Sequence, residues 1–497
     1  MSGLPLTSSQ QWSLPRSVRS AVFILLASLV LLWPAYLNQK PFYMADSASY
    51  LRGGEFALRY AKSVVTANWS QDSASDESGD SGSRSNSGFK KSETNDFIGA
   101  RTIAYSVFAA LLKGPGTSLS LLIFGHAVLV ASLIVVTFRH MGLAGNPYAM
   151  MGAITLISAT TTTPWIVSFA MPDILAGIAI LSAAVLTTKF KDLRWFEVLL
   201  LSGLLVFATA SHASHIPLVA GLVLVCVPVA LILYRHDLWR LRLKLTAWLC
   251  GSFVFALALI TSTNLIGFGD VSVVAKRYPI TLARYVADGP AREYLEESCL
   301  TDDYAVCEIF DEFPTTIGDF LWNENGLRFQ ASNEQMARIR AEEFLIIQRS
   351  MKEYPMSYVR LTIVDVTRQF MRFGLSAVKF GGEIQPKGQD DYGVSPAGKR
   401  RKEFKAGMEM IQFATLVVSF GVLVSLYLFA RKSLKPEDHF MLLIVFLGLL
   451  GNAMVCAIFS GVTDRYQSRV IWVFPVVVVA LALRIWLEQR SRRTQSV

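Results

Sequence analysis

The chain has 497 residues, of which 52% are hydrophobic and only 17% charged, and its mean hydropathy is +0.40. A soluble protein of this length carries about 25% charged residues and divides into domains with polar surfaces, so a wholly soluble chain is excluded. The net charge of +9 does not point to nucleic acid. Lys and Arg gather at the ends of apolar blocks, where lipid headgroups lie, and no basic stripe interleaved with aromatics occurs.

The apolar blocks have about the 20 residues that a helix needs to cross roughly 30 Å of hydrocarbon. In chain order they lie at 18–37, 117–138, 145–163, 166–187, 196–213, 216–234, 246–266, 406–430, 439–460 and 469–487. The expectation is an all-α integral membrane protein with about ten transmembrane helices. Arg16 and Arg19 precede the first block. A cleaved signal peptide is the competing reading there, but the block is long for one and no small-residue cleavage site follows, which favours an uncleaved first helix. Blocks three and four are separated by a tight polar turn at 161–164 and could form a re-entrant pair.

Placing the N-terminus inside puts Arg139, Lys189, Lys191, Arg194, Arg235, Arg240, Arg242, Lys244, Arg431, Lys432 and Lys435 in cytoplasmic loops. The C-terminal Arg490, Arg492 and Arg493 are then cytoplasmic too, as the positive-inside rule asks. Both termini are expected in the cytoplasm, in a bacterial inner (plasma) membrane, with a eukaryotic endomembrane as the alternative. The run Lys399, Arg400, Arg401, Lys402 and Lys405 falls outside and runs against this orientation. Five sections follow. Residues 1–37 are a tail and the first helix. Residues 38–116 are an extracytoplasmic loop, and 117–266 are helices two to seven. Residues 267–405 are a small extracytoplasmic domain, and 406–497 are the last three helices with a basic tail.

In the first outward loop, 71–94 is almost wholly Ser, Asp, Gly, Asn, Glu and Lys, a composition that cannot bury a core and reads as disordered. Its flanks, 43–60 and 97–112, read as amphipathic helices on the membrane surface. In the second outward segment, 280–297, 333–352 and 355–378 have helical periodicity. Phe320, Leu321 and Trp322 read as an apolar contact with the membrane face, and 382–397 carries turn signals. Cys299 and Cys307 are expected to form a disulfide if this segment lies outside the cytoplasm, and to be free thiols otherwise. Cys226, Cys250 and Cys456 sit inside apolar blocks.

Ionisable residues at or near membrane depth are the candidates for function. Asp46, in Pro-Phe-Tyr-Met-Ala-Asp-Ser-Ala-Ser-Tyr (41–50), is placed to act as a general base; a helix N-cap is the plainer reading. Arg101 could grip a phosphate through its planar fork or simply snorkel to headgroups. Asp173 follows Pro172 at the start of a helix, where the dipole favours a carboxylate. His212 and His215, three apart on one helical face, suit substrate hydrogen bonding or interfacial polarity; two histidines without a third ligand are a weak metal signal, and no cofactor is expected. Arg465 and Arg469, one turn apart, can face one anionic group; a local ion pair with Asp464 is the alternative. No Walker loop, dinucleotide fingerprint, Gly-x-Ser-x-Gly elbow or zinc-protease motif is present, so the chain is not expected to hydrolyse ATP itself.

Four short motifs together resemble the membrane-embedded glycosyltransferases of the GT-C superfamily, of the protein mannosyltransferase and aminoarabinose transferase type. They are Ala-Asp-Ser-Ala-Ser-Tyr (45–50), Arg101 with Tyr105, Pro172-Asp173 at the outer start of a helix, and Arg465-Tyr466 ahead of the last helix. They depart from the family where Asp46 is followed by Ser47 rather than a second acidic residue, and in the Ser-rich insert. The resemblance implies a polyprenyl-phosphate-linked sugar as donor and a glycan, lipid or protein as acceptor, with inversion at the anomeric carbon. Asp46 and Asp173 would be catalytic, and Arg101, Arg465, Arg469 and Tyr466 would hold the donor phosphate. Tyr50, Tyr105, His212, His215 and Asp464 would meet substrate. The rival readings are a polysaccharide polymerase or ligase acting on lipid-linked glycans, a transporter or flippase of lipid-linked or anionic solutes, and a scaffold.

Overall fold

The computed structural model describes residues 16–73, 102–237, 239–268, 271–274, 277–386, 392–395 and 401–495. Arg101 and all but the first three residues of the 71–94 stretch lie outside the described residues, as do Lys399 and Arg400. Helices α1 (Arg16–Val30), α2 (Trp33–Asn38), α3 (Ala45–Ser73) and α4 (Ile103–Leu111) lead into a membrane bundle. The bundle continues with α5 (Ser120–Phe138), α6 (Pro147–Thr160), α7 (Thr163–Val167), α8 (Ile174–Thr188), α9 (Trp195–Ser211), α10 (His215–Leu233) and α11 (Trp239–Phe268). A subdomain of α12 (Ile280–Ala287), α13 (Pro290–Ser298), α14 (Ile317–Leu321), α15 (Leu327–Gln330), α16 (Asn333–Glu353) and α17 (Pro355–Met371) follows. The chain closes with α18 (Lys402–Phe429), α19 (Pro436–Phe459), α20 (Asp464–Ile471) and α21 (Val473–Gln495). Among the described residues, the strands form one antiparallel hairpin, β1 (Ile384–Pro386) on β2 (Tyr392–Val394).

Among the described residues, six helices are long and apolar enough to cross a membrane: Ser120–Leu143, His215–Leu233, Trp239–Ile266, Lys402–Phe429, Pro436–Phe459 and Asp464–Arg493. Val18–Val30, Ile174–Thr188 and Trp195–Ser211 are apolar but shorter. The protein is therefore a multi-pass, all-α membrane protein. The third and fourth apolar blocks are where the structure departs most from the expected spans. Thr163–Val167 is a helix of its own, and the chain breaks again before α8. At 1.5 Å per residue α8 is about 22 Å long, short of the roughly 30 Å of hydrocarbon. It can be short because every one of its residues is buried by protein rather than lipid, as a helix apolar on all sides requires. Gly177 on α8 permits this central packing, since a Cβ there would meet the Trp472 indole at 2.6 Å.

The subdomain has its own core, which includes Leu282, Val286, Leu295, Met336, Ile339 and Ile346. Phe320 and Leu321 belong to that core and are fully buried, so they are not the membrane contact the sequence suggested; Trp322 packs edge-on to Tyr278, centroids 4.9 Å apart. The expected helix over 280–297 is two helices, because Gly289 adopts φ +113°, a conformation open to glycine. Buried Glu343 accepts from the backbone N–H groups of Thr281 and Leu282, at 3.1 Å each, and pairs with Arg277 at 2.8 Å, capping the first turn of α12. Cys299 and Cys307 form a disulfide.

Polar contacts fasten both ends of the bundle. Within the subdomain, Arg284 on α12 reaches Asp365 on α17 at 2.9 Å, and Gln369 ties α17 to the bundle through two hydrogen bonds with the backbone of Thr463, at 2.9 and 2.8 Å. At the other end, Arg484 grips fully buried Asp438 through two bonds of 3.0 and 2.7 Å, with Lys189 3.7 Å away.

Candidate functional site

A backbone contact sets the site. Phe42 and Phe169 form an isolated parallel bridge, with Phe42 N–H donating to Ser168 O at 2.9 Å and Ala170 N–H to Phe42 O at 3.0 Å. Trp165 stacks on the Phe42 ring, centroids 6.0 Å apart. The segment entering α3 is thereby laid against the segment entering α8. Asp46, in the first turn of α3, and Asp173, at the N-cap position of α8, both stand near the Arg465 guanidinium.

Asp173 is 3% exposed and makes no side-chain capping bond. Its Oδ1 lies 3.3 Å from Arg465 Nε. This pair stands in place of the alternative reading, a local pair between Arg465 and Asp464. Asp46 does not take the N-cap position either: α3 starts one residue earlier, at Ala45, which leaves Asp46 inside the first turn and half-buried.

Residues 464–471 are helical, so Arg465 and Arg469 project from one rigid element. The Tyr466 ring lies between them, its centroid 5.2 Å from the Arg465 guanidinium carbon and 5.3 Å from that of Arg469. Its hydroxyl meets Ser460 Oγ at 2.7 Å. Arg469 is 2% exposed. Its Nε and Nη2 donate to Asn452 Oδ1 at 3.1 and 2.9 Å, and Nη2 also approaches Ser214 Oγ at 3.3 Å and Cys456 Sγ at 3.2 Å. These partners are all neutral. Among the described residues no carboxylate stands within ion-pairing distance of Arg469.

Asp464 is turned to the scaffold. It accepts from Ser376 N–H at 2.9 Å and Ser376 Oγ at 2.5 Å, and from the Arg465 N–H at 2.9 Å. Ser468 Oγ accepts from Gly374 N–H at 2.8 Å, and Glu409 Oε1 from Leu375 N–H at 2.6 Å. The 374–376 turn is thus pinned to α20 and α18, and α20 with it.

The histidines and tyrosines divide. Tyr105 is fully buried, edge-on to Tyr50 with centroids 4.9 Å apart, and its hydroxyl lies 3.1 Å from His126 Nε2. His126 Nδ1 faces the Val167 carbonyl at 3.3 Å. A carbonyl only accepts, so Nδ1 carries the proton and Tyr105 donates to Nε2. Burial, with the charge of Asp173 nearby, pushes the Tyr105 phenol well above its ordinary value. His215 is fully buried, and its Nδ1 lies 2.8 Å from the Ala208 carbonyl. His212 Nδ1 meets Ser214 Oγ at 2.8 Å. Among the described residues no three His, Cys, Asp or Glu side chains gather as a metal site.

The structure thus brings together Asp46, Asp173, Arg465, Tyr466, Arg469 and His215. The sequence reading missed Asn452, Ser214, Cys456 and His126. Asn452 and His126 had a signal: each is a lone strongly polar residue inside an apolar run, where side chains seek protein partners. No protein-family model, curated protein or solved structure matches the chain.

Proposed function

We propose that this protein is a membrane glycosyltransferase of the GT-C kind, moving a sugar from a polyprenyl-phosphate donor to an extracytoplasmic glycan, lipid or protein acceptor. One observation carries the reading: Arg469 is a buried guanidinium neutralised by no carboxylate among the described residues. A buried cation is costly unless something opposes it, and a phosphate held in its fork would do so.

In this reading the donor's hydrocarbon chain stays in the outer leaflet and its phosphate lies on Arg469 and Arg465. Asp46 takes the proton of an acceptor hydroxyl as that oxygen attacks the anomeric carbon. The bond from that carbon to the phosphate oxygen breaks on the opposite face, which inverts the centre. The electron pair leaves with the phosphate, whose growing charge the two guanidiniums stabilise. Asp173 positions Arg465 through the 3.3 Å pair. The full set of about ten crossings, cytoplasmic termini and an inner-membrane location belong to the same proposal. The Cys299–Cys307 disulfide supports an extracytoplasmic subdomain, since such bonds persist in oxidising compartments.

The test is Arg469→Gln, read in membranes by the pool of lipid-linked sugar and by the transferred glycan. The proposal expects transfer to fall by about 10²–10³, the loss typical of removing one group that stabilises developing charge, with donor accumulating. Normal transfer by a folded Arg469→Gln protein would contradict it.

A further inference from the structure

His215 has a property that phosphate binding by arginines does not use. Its Nδ1 lies 2.8 Å from the Ala208 carbonyl oxygen. That oxygen only accepts, so Nδ1 holds the ring's hydrogen, and in the neutral ring Nε2 is a bare lone pair. Nε2 is buried and, among the described residues, has no hydrogen-bond partner. A buried acceptor without a donor is unusual in a native fold and calls for an explanation. The ring lies where the charge of Arg469 bears on it, and Ser214, next to it in the chain, places its Oγ 3.3 Å from Arg469 Nη2. His215 also opens α10, a helix of 19 residues, whose N-terminal dipole favours an anion.

We infer that Arg469, Ser214 and His215 form a subsite for a phosphate that carries a proton on one oxygen, that is, inorganic phosphate or a phosphomonoester. The anionic oxygens face the guanidinium and the helix N-terminus, and the single P–O–H donates to His215 Nε2. Sulfate at neutral pH has the same shape but no hydrogen to give, and a phosphodiester has none either. Either would leave Nε2 unpaired, so the subsite selects by an acceptor rather than by charge.

This deepens the transferase reading, and rests on it only for the identity of a lipid ligand. The sugar donor is a phosphodiester, whereas the lipid released by transfer is a phosphomonoester with a second ionisation near pH 6, as other phosphomonoesters have. The subsite therefore favours the released lipid phosphate over the intact donor, with preference growing as pH falls toward that value.

The test uses the purified full-length protein in detergent at about pH 6, where a monoester keeps a P–O–H in a large share of its molecules, and follows thermal unfolding with four probes at matched ionic strength. They are inorganic phosphate, sulfate, farnesyl phosphate and farnesyl methyl phosphate, the last a diester. Phosphate and farnesyl phosphate should raise the midpoint, with apparent affinities at least about tenfold above sulfate and the diester respectively, the worth of one hydrogen bond to a charged group. Stabilisation by farnesyl phosphate alone would assign the subsite to a lipid headgroup, and by both monoesters and free phosphate to the phosphate itself. His215→Leu should abolish the discrimination, and Arg469→Gln should abolish binding. If His215→Leu does not fold, His215→Gln should narrow the gap. Equal stabilisation by phosphate and sulfate, equal stabilisation by the two farnesyl esters, or none by any probe would overturn the inference. Its failure is separable from that of the transferase reading, because the wild-type binding measurement involves no sugar transfer.

Discussion

Arg465 on α20 and Asp173 at the head of α8 form a buried ion pair, Nε to Oδ1 3.3 Å, with side chains only 12% and 3% exposed. The pair joins α20 to the head of the central helix α8, and it holds the guanidinium near Asp46 and Tyr50.

Removing one member of this pair strips a buried charge of its ion-pair partner. Asp173→Asn and Arg465→Gln should each lower stability by about 3–5 kcal/mol, as broken buried pairs do. The double substitution should recover part of that loss while remaining inactive in transfer, since the phosphate-facing guanidinium is gone. Unfolding followed in detergent, with transfer measured in parallel, checks both halves. Additive losses in the double variant would show that the two side chains do not act as a pair.

At the opposite end Asp438 is fully buried between Arg484 and Lys189. Arg484→Met should destabilise by a similar 3–5 kcal/mol. That end is remote from the phosphate subsite, so the folded fraction should keep its apparent affinity for phosphate. A changed affinity would place the Asp438 cluster in the binding machinery.

The disulfide closes a loop with a sequence separation of 8. Chain entropy for so short a loop gives about 2–3 kcal/mol. Cys299→Ser with Cys307→Ser should lower the melting midpoint by that equivalent and leave transfer largely intact, because the bridge packs against the subdomain core rather than at the site. In intact cells a membrane-impermeant thiol reagent should label the pair only after reduction; labelling without reduction would count against the bond.

Much of the site was legible because ionisable residues at membrane depth stand out against an apolar background. Asp46, Asp173, Arg465 and Arg469 were all singled out on that ground, and the Cys299–Cys307 bond on the expected outward placement of its segment. What was not legible was which side chains converge. The approach of Asp46 on α3 to Asp173 on α8 depends on the Phe42–Phe169 bridge, a backbone contact between apolar residues that no side-chain pattern announces. Block length failed at α6 to α8, since it assumes lipid on the outside, and α8 is surrounded by protein. Phe320 and Leu321 misled for the converse reason: an apolar run in a polar segment served the subdomain's own core.

The most direct measurement of the central claim is Asp46→Asn. The substitution keeps the side chain's size and removes the base, on a residue half-buried in the first turn of α3. Transfer of the glycan and the pool of lipid-linked sugar would be read in membranes, with protein level and melting midpoint monitored alongside. The account predicts a folded protein that accumulates donor and transfers no sugar. Wild-type transfer by Asp46→Asn would contradict it and remove the general base from the mechanism.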